Sequence, residues 1–551
     1  MRGAAHAPLR IALLACALAL GTSCAMPVGK LAERPWTEVV TPHFHLLSDT
    51  SAHETQRMAE ELARFRQLLI ALEIMKETEP RIPVKIIAVS DKWVHGWLTN
   101  REFISVQQGV TVVPLKIIVI NEWHTSKLDL RTNHPLIAGW YVDGLRGGYA
   151  VAGTNVAYRN LEVARGMLFN VFAHFALLHG ADSRRPLWFE DGFAEYLSGF
   201  EVDDTGGLTF GIQHEHRIRE LKPLWHDEWS LFFETLEEDV SFYPSYFQPL
   251  SWVTMHYLLS TPERPAQLRE YLRLYDEEGD LHKAYYLAFQ IPFGELRKEV
   301  HAYYRRGEYP TRSLGPEGMG SAMSLESRPV APSDLLFHLG DLAANGSRRL
   351  FSFDPTTQHL EGDALAARLF KQSLERDPHN GLSMVGLAAV RLRAGNFEEA
   401  DALLRRAEAI APDAELVHTT RGNLLLARAH RSGGDTGDAA RAARLEAARI
   451  SYRRAIELQP AVPEPYFRIA QIYLLDDPAS EPALEWLQAA LDLSPREPQV
   501  MLELAALKLE RGDTQDVQRL LDKVLDIEGD RLLRDRARDL ERKLWRLQRD
   551  T

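Results

Sequence analysis

The chain has 551 residues, of which 45% are hydrophobic and 26% are charged, a composition typical of folded domains and not of disorder. At this length a single hydrophobic core is excluded, and two or more domains are expected. The net charge of −13, without a long run of Lys or Arg, argues against a protein that binds nucleic acid.

The N-terminus is basic and then apolar. Arg2 and Arg10 flank the start of the chain, and an apolar run follows over residues 11–20. This run is too short to span a bilayer, but its length and basic flank are typical of a signal peptide. The two cysteines, Cys16 and Cys24, both lie in this leader, so the mature protein is expected to contain no disulfide within its folded part.

The string Leu-Gly-Thr-Ser-Cys, which ends at Cys24, resembles the processing site of bacterial lipoproteins, where a lipid is attached to the cysteine after cleavage. Gly21 departs from that pattern, since an aliphatic residue is usual there. Cleavage as an ordinary secreted protein near Ser23 or Ala25 is the alternative. We predict a signal peptide over residues 1–24 and a protein exported to the bacterial cell envelope, anchored in the membrane through lipidated Cys24 and facing the periplasm.

The first folded region, which we call the front domain, is predicted over residues 33–312 with an α+β fold. Residues 38–48 alternate in character around a proline, a pattern that predicts an edge strand. A helix follows, with Ser51 as its N-cap. The β-branched runs at 84–89 and 116–120 predict further strands of a mixed sheet.

Two predicted helices carry the residues that decide the chemistry. One covers residues 161–179, and the next begins near Pro186. In the motif H-E-x-x-H, two histidines one helical turn apart hold Zn²⁺, and the glutamate is the general base. On the first helix the three positions that define this motif read Asn170, Val171 and His174.

The front domain resembles the peptidase MA-like, gluzincin-type zinc metallopeptidase domains of bacterial envelope proteins, which are commonly followed by tetratricopeptide repeats. The most specific part is the string P-L-W-x-E-x-G-x-A-E-Y, and the likeness runs through residues 34–49, 170–174, 186–202 and 246–259. The resemblance implies His174 and Glu190 as zinc ligands. It also implies a first His ligand at Asn170 and a catalytic Glu at Val171, and neither is present.

These two changes predict a front domain without peptidase activity. Valine cannot activate water, an asparagine amide is a poor ligand for Zn²⁺, and losing a general base costs about 10²–10⁴-fold in rate. We therefore expect no catalytic residue and no cofactor, and we expect His174 and Glu190 to be neighbours that bond to each other. The alternative is a zinc-dependent peptidase with a non-standard metal site that uses His174, Glu190 and a further ligand such as His179 or His214.

The rest of the chain is predicted to be a linker followed by a solenoid. Residues 313–332 are rich in Gly, Ser and Pro and lack periodicity, which indicates an interdomain linker. Beyond them, intervals of 34, 48 and 35 residues separate the prolines at positions 378, 412, 460 and 495. The first and last intervals match the tetratricopeptide period, and the middle one adds an insertion. An all-α tetratricopeptide solenoid with a charged C-terminal capping helix is thus predicted over 333–551.

Such a solenoid presents a groove to a protein or peptide partner. The combined prediction is an exported, lipid-anchored binding or scaffold protein that joins a catalytically degenerate peptidase-like domain to an interaction solenoid. Its partners are expected to be a polypeptide in the groove and the membrane, with no nucleic acid. The alternative for the repeats is that they only pack against the front domain.

Overall fold

The computed structural model describes residues 31–74, 83–89, 139–142, 149–153, 168–170, 172–174, 176–177, 184–203, 205–234, 246–315, 325–350, 358–431, 438–495, 497–527 and 531–550. The predicted signal peptide, Cys24, Val171, His179 and the predicted strand at 116–120 lie outside these residues. None of the described helices is both long and apolar enough to cross a membrane.

The front domain combines strands and helices, as predicted. Its strands are β1 Thr37–Val40, β2 Phe44–Ser48, β3 Val84–Val89, β4 Gly139–Val142, β5 Tyr149–Gly153, β6 Phe200–Val202, β7 Leu208–Phe210 and β8 Arg312–Leu314. Its helices are α1 Ala52–Ala71, α2 Leu187–Ser198, α3 Glu215–Leu221, α4 His226–Glu234, α5 Phe247–Ser260, α6 Arg264–Glu278, α7 Leu281–Phe289 and α8 Phe293–Arg306. Helical residues 168–170, 172–174 and 176–177 precede α2, and we call them the His174 helix.

The larger sheet is mixed, and its strand order is β4-β5-β3-β2-β1-β9, where β9 is Arg328–Pro329. Strand β2 runs parallel to β3, and α1 connects them, because parallel neighbours need a crossover. The predicted N-cap of α1 is confirmed: the Ser51 side chain accepts a hydrogen bond from the Glu54 amide at 3.2 Å.

The prediction of one edge strand over 38–48 is wrong. The segment forms an antiparallel hairpin, β1 and β2, with its turn around Pro42. The Thr41 side chain fixes this turn by accepting a hydrogen bond from the Phe44 amide at 2.9 Å. Strand β2 lies inside the sheet between β1 and β3. The alternating pattern identified the strand character, but it could not show where the chain reverses.

Strands β2 and β3 are buried on both faces, each face against a different part of the chain. Leu46 and Ile86 point into the core of the front domain, whereas their neighbours Leu47 and Ile87 belong to a second apolar cluster with the first helix of the solenoid. That helix is α9, Pro332–Leu350. Since successive residues of a strand point to opposite faces, the sheet is a layer shared by the front domain and the solenoid.

The predicted linker differs from the structure at both ends. Its start contributes to β8, in a three-stranded antiparallel sheet with β6 and β7, and its end contributes to β9, which pairs with β1. The Val330 amide also donates to the Trp36 carbonyl at 2.9 Å. Composition suggested a flexible connection, but strands this short are determined by pairing with distant residues. Residues 316–324, between them, are outside the described part.

The solenoid is built from antiparallel helix pairs, as the repeat period predicts. After α9 its helices are α10 Gln358–Arg376, α11 Gly381–Arg393, α12 Phe397–Ile410, α13 Glu415–Arg431, α14 Asp438–Leu458, α15 Pro463–Asp476, α16 Glu481–Leu493, α17 Pro498–Glu510, α18 Val517–Ile527 and the charged α19 Arg531–Asp550. Glycines allow close helix contact: a Cβ on Gly422 would lie 2.5 Å from the Tyr452 ring.

The far end of the solenoid also contacts the front domain. Arg519 of α18 donates to Asp276 of α6, with 3.2 Å between Nη2 and Oδ2. Arg184 lies 3.7 Å from Asp522 of α18, measured between Nη1 and Oδ2. The two parts of the chain therefore meet at the sheet and again at α18.

Candidate functional site

The predicted site residues lie where the His174 helix meets α2. Pro186 precedes α2, and its carbonyl accepts the Glu190 amide at 3.2 Å. Gly192 lets α2 pack tightly on α5, because a Cβ at this position would lie 2.5 Å from the Ser251 carbonyl oxygen. The G in the string that carries the family resemblance thus serves helix packing.

Two pairs of side chains connect the helices. Asn170 Nδ2 donates to Glu195 Oε2 at 2.7 Å, and His174 Nε2 lies 3.5 Å from Asp191 Oδ1. Residues 170 and 174 are one helical turn apart, as are 191 and 195. Both side chains of each pair therefore lie on the same face of their helix, the face toward the other helix. We call Asn170, His174, Asp191, Glu195 and Arg217 the Glu195 centre.

The expected pairing of His174 with Glu190 is therefore shifted by one residue. The carboxylate at 3.5 Å from the His174 ring is that of Asp191. Glu190 is 2% exposed and acts on His174 through its charge, which raises the pKa of the ring against the larger, opposite effect of burial. One residue on a helix corresponds to a rotation of about 100°, and that places Asp191 on the face toward His174.

Arg217 of α3 neutralises Glu195 inside this interface. Its Nε donates to Glu195 Oε1 at 2.8 Å, and its Nη1 and Nη2 donate to Glu220 and Gln248 at 2.7 and 3.2 Å. Arg217 and Glu195 are 6% and 7% exposed. This is a buried ion pair whose charges are also hydrogen bonded, the arrangement that makes such burial tolerable.

The charge state of this pair follows from its surroundings. Burial alone would raise the pKa of Glu195, but the Arg217 cation and the hydrogen bonds from His216 and Arg217 hold that pKa well below its usual range. For Arg217, burial alone would lower the pKa, and the carboxylates of Glu195 and Glu220 raise it above its usual value. Both groups are charged at neutral pH.

His174 and Asp191 behave differently, although their distance is that of an ion pair. Burial lowers the pKa of His174 to about 4, against the charges of Glu190 and Glu195, so its imidazole is neutral at pH 7. Burial, followed by the charges of the same two glutamates, raises the pKa of Asp191 well above its usual value. The contact is therefore closer to a neutral polar pair than to a salt bridge.

His214 and His216 lie on the other side of Glu195. His214 Nε2 is 2.9 Å from the Glu195 carbonyl and 3.2 Å from Ser198 Oγ, and burial lowers its pKa to about 4. His216 Nε2 is 3.5 Å from Glu195 Oε1. The Nε2 atom of His214 is thus hydrogen bonded to the backbone of α2.

Among the residues that the structure describes, those around His174 do not provide the donors that a zinc ion needs. A catalytic zinc site needs three protein donors. At the first donor position, the Asn170 amide donates to Glu195, and the nearby Arg217 cation opposes a divalent ion. Across the residues that the structure describes, the only three His, Cys, Asp or Glu side chains whose ligand atoms all lie within 4.8 Å of one another are elsewhere, at Glu38, His45 and His338.

Sequence reasoning overlooked Asp191 and Arg217 and gave Glu195 no assigned role. A signal for Asp191 and Glu195 was present, because their spacing of four matches the spacing of Asn170 and His174. No comparable signal exists for Arg217. It lies on a short polar helix, and its burial depends on how that helix packs against α2.

Comparisons with known proteins identify tetratricopeptide repeats in part of the chain. A search of curated proteins finds no match. The family model described as "Tetratricopeptide repeat" matches residues 364–424. Among solved structures, TTC0263, a tetratricopeptide protein of Thermus thermophilus, is 19% identical over 38% of this chain and 98% of its own, with a TM-score of 0.31.

Two further solved structures are similar over about the same share of the chain. PilF of Pseudomonas aeruginosa is 21% identical over 39% of this chain and 91% of its own, with a TM-score of 0.28. YrrB, described as a tetratricopeptide protein with an unusual peptide-binding site, is 16% identical over 36% of this chain and 91% of its own, with a TM-score of 0.24. The family match and the helix pairs that it covers place tetratricopeptide repeats in the second half of this chain.

Proposed function

We propose that this chain is an exported, lipid-anchored scaffold protein that binds a polypeptide through its tetratricopeptide solenoid. Its front domain is a peptidase MA-like, gluzincin-type domain that has lost its chemistry and has a structural role. The observation that carries this proposal is the combination of a tetratricopeptide array with a charge-neutralised Glu195 centre at the position where the family resemblance implies a metal.

Three residues speak against catalysis in the front domain. Val171 has no titratable group where the general base is expected, and Asn170 has no imidazole where the first ligand is expected. Arg217 supplies the positive charge that Glu195 needs, so the buried carboxylate requires no metal. A zinc-dependent peptidase using His174 and Glu190, the alternative, lacks both a base beside a ligand and a complete ligand set among the described residues.

A row of polar side chains along the first helices of successive repeats favours peptide binding. Asn423 Nδ2 of α13 donates to Glu464 Oε1 of α15 at 3.1 Å, and Tyr452 donates its hydroxyl to Asn423 Oδ1 at 2.7 Å. Arg468, one turn beyond Glu464, is held by hydrogen bonds from Nη1 to Gln471 at 2.8 Å and from Nη2 to Glu464 at 3.4 Å, and its Nε has no hydrogen-bond partner among the described residues. Concave surfaces of solenoids use such fixed polar groups to hold extended peptides.

Replacing Arg468 with glutamate is expected to weaken peptide binding by roughly tenfold, the loss that corresponds to about 1.4 kcal/mol. The measurement is fluorescence anisotropy with a mixed library of short labelled peptides and the full chain. Arg454→Glu is the matched control, because Arg454 is on α14, the second helix of its pair, and its side chain is 45% exposed. Equal binding by both variants would contradict a groove on the Arg468 face.

Anchoring is tested separately. The leader predicts that Cys24 carries the lipid, and Cys24→Ser removes the only acceptor in that position. After cell fractionation, the unmodified protein is expected in the membrane pellet and the variant in the soluble fraction. A variant that stays in the pellet to the same extent would show that Cys24 is not the anchor.

A further inference from the structure

We propose that Glu38, His45 and His338 form a binding site for a divalent transition-metal ion of the Zn²⁺ class, at the junction between the sheet and the first helix of the solenoid. The site is distant in sequence from the Glu195 centre and shares no residue with it. The proposal does not depend on the function proposed above, because it concerns how the two parts of the chain are joined.

The hairpin supplies two of the three ligands. In the β1–β2 register Glu38 is opposite Leu47 and Val40 is opposite His45, so Glu38 and His45 are diagonal neighbours on one face of the sheet. Their side chains are in contact, with 2.5 Å between His45 Nε2 and Glu38 Oε2. The same face carries Leu47, which packs against the solenoid.

Helix α9 supplies the third ligand. The His338 ring is perpendicular to the His45 ring, at 87° and 5.0 Å between centroids. The three ligand atoms all lie within 4.8 Å of one another. His338 Nδ1 is shielded from solvent, and it has no hydrogen-bond partner among the described residues. A buried imidazole nitrogen without a partner is costly unless it has a role, and metal ligation would satisfy it.

Arg328 is a cation beside Glu38 and opposes a metal ion, but its side chain is 68% exposed, so water screens its charge far more than that of the buried Arg217. Arg328 Nε donates to Glu38 Oε1 at 2.6 Å, which leaves Oε2 directed at His45. The Asp334 carboxyl is a further acidic group near Glu38. Glu38 Oε2 is thus the carboxylate oxygen available to the ion.

The charges around His338 are balanced. Lys85 lies on the strand beside His45 and would repel a cation, but its Nζ is 3.1 Å from Asp341 Oδ2, which offsets that charge. The buried Nδ1 of His338 has no hydrogen-bond partner among the described residues, and an imidazole ligates a metal through an unprotonated ring nitrogen.

The ligand types identify the metal class. Two imidazoles and one carboxylate suit Zn²⁺ and its first-row neighbours, whereas Mg²⁺ and Ca²⁺ prefer oxygen ligands alone. Zn–N and Zn–O bonds of about 2.0–2.2 Å require ligand atoms roughly 3.3 Å apart. The His45 ring would therefore move away from Glu38 by less than about 1 Å, and His338 would move closer. An ion here would connect β1, β2 and α9.

The test is isothermal titration of zinc into the full chain after treatment with a chelator. We expect one zinc per chain, with binding weakened at least about 100-fold in His338→Ala and in Glu38→Gln, since even residues behind the ligands change affinity 10–100-fold. His379→Ala, an exposed histidine of the solenoid, and His174→Ala are the controls and are expected to bind like the unmodified protein. Circular dichroism confirms that each variant is folded.

Hydrogen exchange gives an independent measurement. Zinc is expected to slow amide exchange in α9 of the unmodified chain and to have no effect on exchange in His338→Ala. The reason is that an ion bound to His338 and to the two strand residues would stabilise the contact between α9 and the sheet. The proposal is overturned if the chain binds no zinc, if His338→Ala binds as tightly as the unmodified protein, or if His174→Ala loses the binding. The first two results would leave the scaffold function intact, while the third would also contradict the metal-free Glu195 centre.

Discussion

Replacement of Arg217 with methionine is expected to lower the free energy of unfolding of the front domain by about 3–5 kcal/mol, the cost of leaving one buried charge without its partner. Methionine fills similar space, but it cannot neutralise Glu195, which is 7% exposed. The measurement is urea unfolding at pH 7, followed by fluorescence of the buried tryptophans of the front domain, which include Trp188, Trp229 and Trp252.

The effect of this substitution is expected to depend on pH. In the unmodified protein the pKa of Glu195 is well below its usual value, so the pair stabilises the fold above about pH 4.5 and this contribution is lost as the pH falls through the lowered pKa. Without Arg217, burial raises that pKa, and protonation relieves the buried charge as the pH falls. The difference in stability between the two proteins should therefore shrink from pH 7 toward pH 4.

The double variant Arg217→Met with Glu195→Gln is the matched control. Glutamine removes the orphaned charge and keeps an acceptor for Asn170, so it should restore more than half of the lost stability. If Arg217→Met costs less than about 1 kcal/mol, the level of an exposed pair, the Glu195 centre is not the buried ion pair described above.

Replacement of Phe370 with alanine is expected to destabilise the solenoid by about 3–5 kcal/mol, the usual cost of removing a buried aromatic ring. Phe370 of α10 is 1% exposed and packs against two glycines: a Cβ on Gly340 would lie 2.7 Å from the ring, and one on Gly386 2.4 Å. The ring therefore fills the space between α9, α10 and α11, and the backbone at both glycines cannot readily collapse into the cavity.

Thermal and urea unfolding followed by helical circular dichroism measure this loss. Leu382→Ala on α11 is the control, because Leu382 is 38% exposed and should change stability by less than about 0.5 kcal/mol. Since α9 also covers the sheet, the Phe370→Ala variant should loosen β1 and β2, detected as faster hydrogen exchange. Equal stability of the two variants would show that the Phe370 ring does not stabilise the interface between α9, α10 and α11.

Local patterns predicted the parts of the fold that local interactions determine. Ser51 caps α1, and the prolines at the repeat period mark helix pairs, because capping and helix packing act over a few residues. Strand β9 and the cover of α9 over Leu47 could not be predicted in this way. They depend on residues about 290 positions apart, such as Glu38 and Arg328, which hydrogen bond across the sheet edge.

The candidate site was predictable in its location but not in its chemistry. The missing His and Glu at positions 170 and 171 are visible in the sequence, and they showed that the site departs from the metallopeptidase pattern. Which carboxylate contacts His174, that of Glu190 or that of Asp191, depends on how α2 is rotated relative to the His174 helix, and the sequence does not contain that rotation. Arg217 became apparent only in the folded structure, because nothing in its own helix distinguishes it from a solvated arginine.

The most direct test of the central claim, a polypeptide-binding scaffold whose front domain does no peptidase chemistry, is hydrolysis of a quenched fluorescent peptide library by the full chain with added zinc. The unmodified protein and His174→Ala are compared under the same conditions. We expect the two proteins to have equal rates that do not depend on zinc. Zinc-dependent hydrolysis by the unmodified protein that is abolished in His174→Ala would contradict it.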